Sequence, residues 1–207
     1  MNLSPQDVVV VLKSLIDGSE RAAQQQAKDA AEEMEAKFLA TACKSSTYAE
    51  LGEELAMSPS QVFRSVVRAE EARLLYRLPV KPAPGHTKDQ TRFWPYRENL
   101  KEFLIHGVKY AFPVHHGGLV RGIPTAHAAP PLSQQIAKSS EPPPVWPDPE
   151  GTVRGLEFSP LYKKIPAAAR RDPKLYELLA LVDAIRDGRV REREIAIREL
   201  TARIDER

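Results

Sequence analysis

The stretch Glu54–Arg68, "ELAMSPSQVFRSVVR", holds a corner, a helix start and two arginines one helical turn apart. Ala56, Met57 and Ser58 form the corner. Ser58 is placed to cap the next helix, Pro59 sits at its first position, and Gln61 follows three residues after the cap. That is the S-x-x-Q capping box, in which two unpaired backbone donors are satisfied reciprocally. Val62, Val66 and Ala69 then recur at spacings of four and three, which predicts a buried face. Ser60, Gln61, Arg64, Val67 and Arg68 are left toward solvent. Upstream, "TYAELGEEL" reads as a short helix from Tyr48 with Leu51 and Leu55 facing inward. A helix, a tight turn and a second helix at these spacings form the helix-turn-helix pattern, whose second helix can enter a major groove.

Chemistry at the start of the second helix fits that use. Gln61 has the amide pair that reads adenine, and Arg64 the fork that pairs with guanine, while Ser60 and Arg68 stand where phosphates would pass. The helix N-terminus adds its own positive end. Phe63 either touches a thymine methyl or packs on the following section. From Ser58 to Arg97 there are eight basic residues and three acidic ones in a chain whose net charge is only +2. A local excess of that kind is the electrostatic footprint of a DNA-binding face. Tyr48, Ser58, Ser60, Gln61, Arg64 and Arg68 are therefore the expected contacts with double-stranded DNA.

With its flanks, "TYAELGEELAMSPSQVFRSVVRAEEARLL" resembles the winged helix-turn-helix of bacterial MarR-like transcriptional regulators. The similarity covers roughly residues 3–92. It implies that Leu74–Arg77 opens the wing and that "KPAPGHTKDQTR" forms its tip. Lys81, His86, Lys88 and Arg92 would then reach phosphates or the minor groove. Regulators of this kind repress genes as dimers, in some cases while neutralising a partner protein encoded nearby, so a homodimeric repressor, with an antitoxin-like role as its variant, is the function the resemblance implies. A protein-contacting adaptor built on the same scaffold is the alternative.

Prolines divide the rest of the chain. Fifteen of 18 fall between Pro79 and Pro166, and the other three follow Ser4, Ser58 and Asp172, which marks three helix starts. The first helix should run from Pro5 to about Ile16 on a Val8, Val9, Leu12, Leu15, Ile16 stripe, with Gly18 as its stop. A separate helical insertion, 18–42, follows, rich in Ala, Glu and Gln; it is either a solvated helix or a dimerisation arm. Leu100, Phe103 and Leu104 predict a further helix ended by Gly107, with Val108–Phe112 as a strand. The Pro- and Gly-rich middle is expected to be an ordered extended chain without long elements. Asp172 should cap a helix carrying Leu175, Leu178, Leu179, Val182 and Ile185 up to Gly188, followed by a second helix from Val190.

The expected fold class is thus mainly α with a small β wing: residues 1–92 as a DNA-binding domain, with recognition helix 59–72, and residues 93–207 as a wrapping region with helices for dimerisation or partner binding. No apolar run reaches the roughly 18 residues a membrane span needs, so a cytoplasmic protein without membrane association is expected. The single Cys43 excludes an internal disulfide. His115, His116 and His127 beside "GGLVRG" lack a carboxylate to complete a metal set, and that run lacks the ending of a phosphate loop; a turn between strands is the cheaper reading. No nucleophile arrangement stands out, so neither an enzyme nor a cofactor is expected. Trp94, Tyr96, Trp146 and Phe158 read as core before they read as a ligand pocket.

Overall fold

The computed structural model describes residues 3–32, 47–80, 90–137 and 140–205; side chains are described outside 19–32, 78–80 and 90–92. It is mainly helical. α1 (Pro5–Glu32) leads to α2 (Tyr48–Leu55) and α3 (Pro59–Glu71), followed by the strands β1 (Leu75–Val80) and β2 (Gln90–Pro95). α4 (Arg97–Glu102) passes through a π-helical turn, Phe103–Gly107, into α5 (Val108–Ala111). β3 (His116–Pro124), β4 (Pro144–Pro147) and β5 (Val153–Phe158) come next, then α6 (Ile165–Arg171), α7 (Pro173–Asp187) and α8 (Val190–Asp205).

Two helices are buried all round for part of their length. In α1 every residue from Asp7 to Ile16 is buried, and in α7 every residue from Leu178 to Arg186. A helix without a polar face must be enclosed by other elements, and here α1, α3, α7 and α8 supply one continuous core with α4, α5 and the strands. Val8, Leu12, Leu51, Val66, Leu100, Trp146, Leu179 and Leu200 all belong to it, so residues before and after Arg92 share a single apolar cluster. At the edge of that core Lys13 of α1 pairs with Asp172 at 2.9 Å, and also meets Asp17 and Glu54.

The strands form two separate sheets. β1 and β2 pair antiparallel, Leu75 opposite Pro95 through Val80 opposite Gln90. β3, β4 and β5 close on one another: β3 is antiparallel to both, and β4 is parallel to β5. Three strands coil this tightly only where side chains are missing. A Cβ at Gly122 would overlap the Trp146 carbonyl, and one at Gly155 the Pro143 carbonyl.

That unit is pinned to α7 by a buried polar network. Asp183 accepts hydrogen bonds from Trp146 Nε1 (2.7 Å), Thr125 Oγ1 (2.8 Å) and Arg186 Nη1 (2.7 Å). Arg186 in turn donates to the Phe112 carbonyl at 2.9 Å. Burial pushes the Asp183 carboxyl up, opposed by Arg186 and by the Thr125 and Trp146 donors. A buried charge persists only when its acceptor sites are filled in this way.

Several sequence expectations need correction. Gly18 does not stop the first helix; α1 runs on to Glu32. A mid-helix glycine costs about 1 kcal/mol against alanine, and the Trp94 ring lies against Gly18, 3.7 Å from where a Cβ would sit. Val108–Phe112 is not a strand. Val108 and Phe112 are the buried pair, four apart, and the segment is helical. The glycines of "HGGLVRG" lie within the nine-residue β3 rather than in a turn, so the middle section does sustain a long strand. The caps at Ser58 and Asp172 and the stop at Gly188 are as expected.

Candidate nucleic-acid interface

α2, the corner and α3 are fixed by local hydrogen bonds. Thr47 and Glu50 form a capping box at the start of α2, at 2.8 and 3.2 Å. Ala56 takes a left-handed conformation, φ 54°, and ends the helix. Gly52 is required beneath it, because a Cβ there would meet the Met57 carbonyl at 2.6 Å. Met57 is buried, and Ser58 starts α3 with the second capping box. Val62, Ser65, Val66 and Ala69 face the core.

The cap has a consequence for readout. Gln61 Oε1 accepts from the Ser58 N–H at 3.0 Å and from the Ser58 hydroxyl at 3.2 Å. Bidentate recognition of adenine needs that same oxygen, so Gln61 is a capping residue here, and only its Nε2 remains to be offered outward. Ser58 is committed to the same box. Ser60 is exposed, and its carbonyl accepts from Arg64 Nε at 3.2 Å, which steadies an exposed guanidinium.

Arg68 corrects the sequence reading most sharply. Its guanidinium is turned onto the protein, where it forks onto Asp7 of α1, Nε at 2.8 Å and Nη2 at 2.6 Å. The Asp7 side chain is 0% exposed and that of Arg68 24%. Those hydrogen bonds push the Arg68 pKa further up. A bidentate partner of a buried carboxylate is not free for a phosphate. Arg77, likewise, pairs with Glu70 at 2.5 Å.

Tyr48 is a packing residue, its ring edge-on to Phe63 at 5.5 Å and 5.2 Å from Phe93, and its hydroxyl lies 3.5 Å from Arg77 Nη1. Phe63 stays 46% exposed beside Arg64. Lys81, His86 and Lys88 lie outside the described residues, and Arg92 stands in β2 with its side chain outside them. Sequence reasoning passed over Arg73, which is exposed, has φ 55°, and turns the chain from α3 into β1. Arg64 and Arg73 make no ion pair among the described residues. The adjacent leucine pair, Leu74 and Leu75, both buried, was the available signal that Arg73 must point out.

Elsewhere, the four aromatic residues considered for a pocket do not converge. Trp146 and Phe158 are core, and Tyr96 is exposed against Tyr76. His116 meets Asp187 at 2.7 Å, while His127 lies 3.7 Å from Glu192. Among the described residues no helix is long and apolar enough to cross a membrane, and no group of three or more His, Cys, Asp or Glu is placed to hold a metal ion. Compared with family models, characterised proteins and solved structures, the chain has no significant match.

Proposed function

We propose that the chain is a cytoplasmic DNA-binding transcription regulator of the winged helix-turn-helix kind, with α3 entering the major groove and the β1–β2 ribbon as the wing. One observation carries this reading. A doubly capped helix pair, joined by a three-residue corner and followed by an antiparallel two-stranded ribbon, presents the Ser60–Arg64 end of its second helix to solvent. Arg64 is the base-reading residue, Ser60 and Arg73 contact the backbone, and Arg68 holds α3 in place. Two copies would occupy successive major grooves about 34 Å apart on a palindrome and act as a repressor.

Duplex selection from a random pool, followed by a salt titration, tests it. Affinity should fall steeply as salt rises, and Arg64→Ala should cost about 1–3 kcal/mol with relaxed base preference. Selection that enriches no sequence, or binding that survives Arg64→Ala and Arg73→Ala together, refutes the proposal. A protein-gripping adaptor is the second reading. The half-exposed Phe63 and the neutralised Arg68 favour it, since both lower the charge and raise the apolar share of the α3 face.

A further inference from the structure

The ladder between β3 and β5 presents a face that the fold itself does not use. Leu119 stands opposite Leu156 and Arg121 opposite Arg154. Strand side chains alternate, so Leu119 and Arg121 share one face, with Leu156 and Arg154 beside them. All four are exposed, whereas Gly122 and Gly155, of the opposite parity, are buried against β4 and its approach.

Both rungs are of the close kind. The Leu156 N–H turns away from β3 to the Pro143 carbonyl at 2.9 Å, and the Arg121 carbonyl accepts from the Asp148 N–H at 3.0 Å. Neither pair therefore exchanges hydrogen bonds across the ladder, and in such pairs the Cα atoms approach to about 4.5 Å. Like charges directly opposite each other oppose pairing, so this arrangement works against the sheet that carries it. Arg121 commits Nε to the Gly151 carbonyl at 2.6 Å. Neither arginine has an ion pair among the described residues. A shallow groove lined by Leu119, Arg121, Thr152, Val153 and Arg154 runs alongside.

We infer that this face binds an acidic, aliphatic segment of a partner protein, in extended conformation. The apolar rung and the cationic rung are two residues apart, about 7 Å along the strand. An extended peptide with a leucine-like residue at one position and Asp or Glu two positions on matches both rungs at once. Carboxylates suit the paired forks of two arginines. A nucleic-acid strand would leave the exposed leucine pair unmatched, with no aromatic side chain in this patch for a base to stack on. The surface lies on elements other than α3 and stands independently of the DNA-binding proposal.

The test is fluorescence anisotropy on the full chain with a labelled octapeptide of repeated leucine-serine-glutamate-serine. Its counterparts carry glutamine for glutamate, or serine for leucine. Saturable binding to the first alone is expected, weakened about tenfold or more by Arg154→Glu and by Leu119→Ser, with circular dichroism unchanged because both side chains are exposed. Equal binding of the glutamine peptide, no effect of either variant, or no binding at all overturns the inference. Displacement of the peptide by oligothymidylate also overturns it, because the patch would then be a general polyanion surface.

Discussion

Replacing Arg68 separates a structural arginine from a DNA-contacting one. In the wild-type protein the fully buried Asp7 carboxylate receives two bonds from Arg68 and one from the Ser4 N–H at 2.7 Å. Arg68→Ala leaves that charge with a single donor. Removing one partner of a buried pair costs about 3–5 kcal/mol. Arg68 is a quarter exposed, so water can reach the orphaned carboxylate, and the lower end, about 3 kcal/mol, applies. For a chain of this size that is a fall of about 6–12 °C in melting temperature. Arg64→Ala, on the same helix but exposed, should change stability by less than about 0.5 kcal/mol. Adding Asp7→Asn to Arg68→Ala should restore much of the loss, because the neutral amide still accepts from Ser4 and no charge remains buried. Scanning calorimetry of the four proteins, with DNA retention measured in parallel, decides it. Should Arg68→Ala melt like the wild type and lose DNA affinity as Arg64→Ala does, Arg68 swings out to phosphate and is not the structural partner of Asp7.

Hydrogen bonds from Arg203, then Gln135, hold the Glu199 carboxyl below its ordinary range. A depressed folded-state pKa means its contribution is complete above the unfolded value of about 4.3 and is lost as pH falls through the lower folded value. Glu199→Gln should flatten the decline in urea midpoint between about pH 5 and pH 3; an unchanged slope assigns the acid sensitivity to other carboxylates. Gly122→Ala forces a methyl into the Trp146 carbonyl and should cost about 1–3 kcal/mol by denaturation. Gly118→Ala, with nothing within 4 Å, is the neutral control, and equal effects of the two would discard the close-approach account. Trp146→Phe removes the 2.7 Å bond to Asp183 and should cost about 1–3 kcal/mol, read as a shift in urea midpoint. An unshifted midpoint would mean that Thr125 and Arg186 satisfy the carboxylate without it.

Legibility of this fold in the sequence followed the range of the interaction. The Ser58 box and the Asp172 cap are written within four residues, and a local reading reaches them. Gly18 and Gly117 escape a local reading because a glycine's meaning depends on its neighbours in space. Trp94, 76 positions on from Gly18, lines the helix that should have stopped. Arg68 shows the same limit at the candidate site. A helical wheel places it outward, and only the tertiary approach of α1, 61 residues earlier, turns it in. The sequence offers Gln61 to both the cap and the groove; hydrogen-bond capacity allows its oxygen one of them.

All-round burial of α1 near Val8–Leu12 also bears on how the chain is born. One of the elements that enclose it, α7, lies far along the sequence, and the Lys13–Asp172 bond closes a separation of 159 positions. During synthesis at about 5–20 residues per second α3 and β2 can cover part of the run of four valines and a leucine early, and the remainder stays uncovered until α7 leaves the ribosome. Such a run has high β-propensity and no charge, the profile of an aggregation-prone segment. The all-round cover of this run is thus complete only once a helix more than 150 positions away has been made.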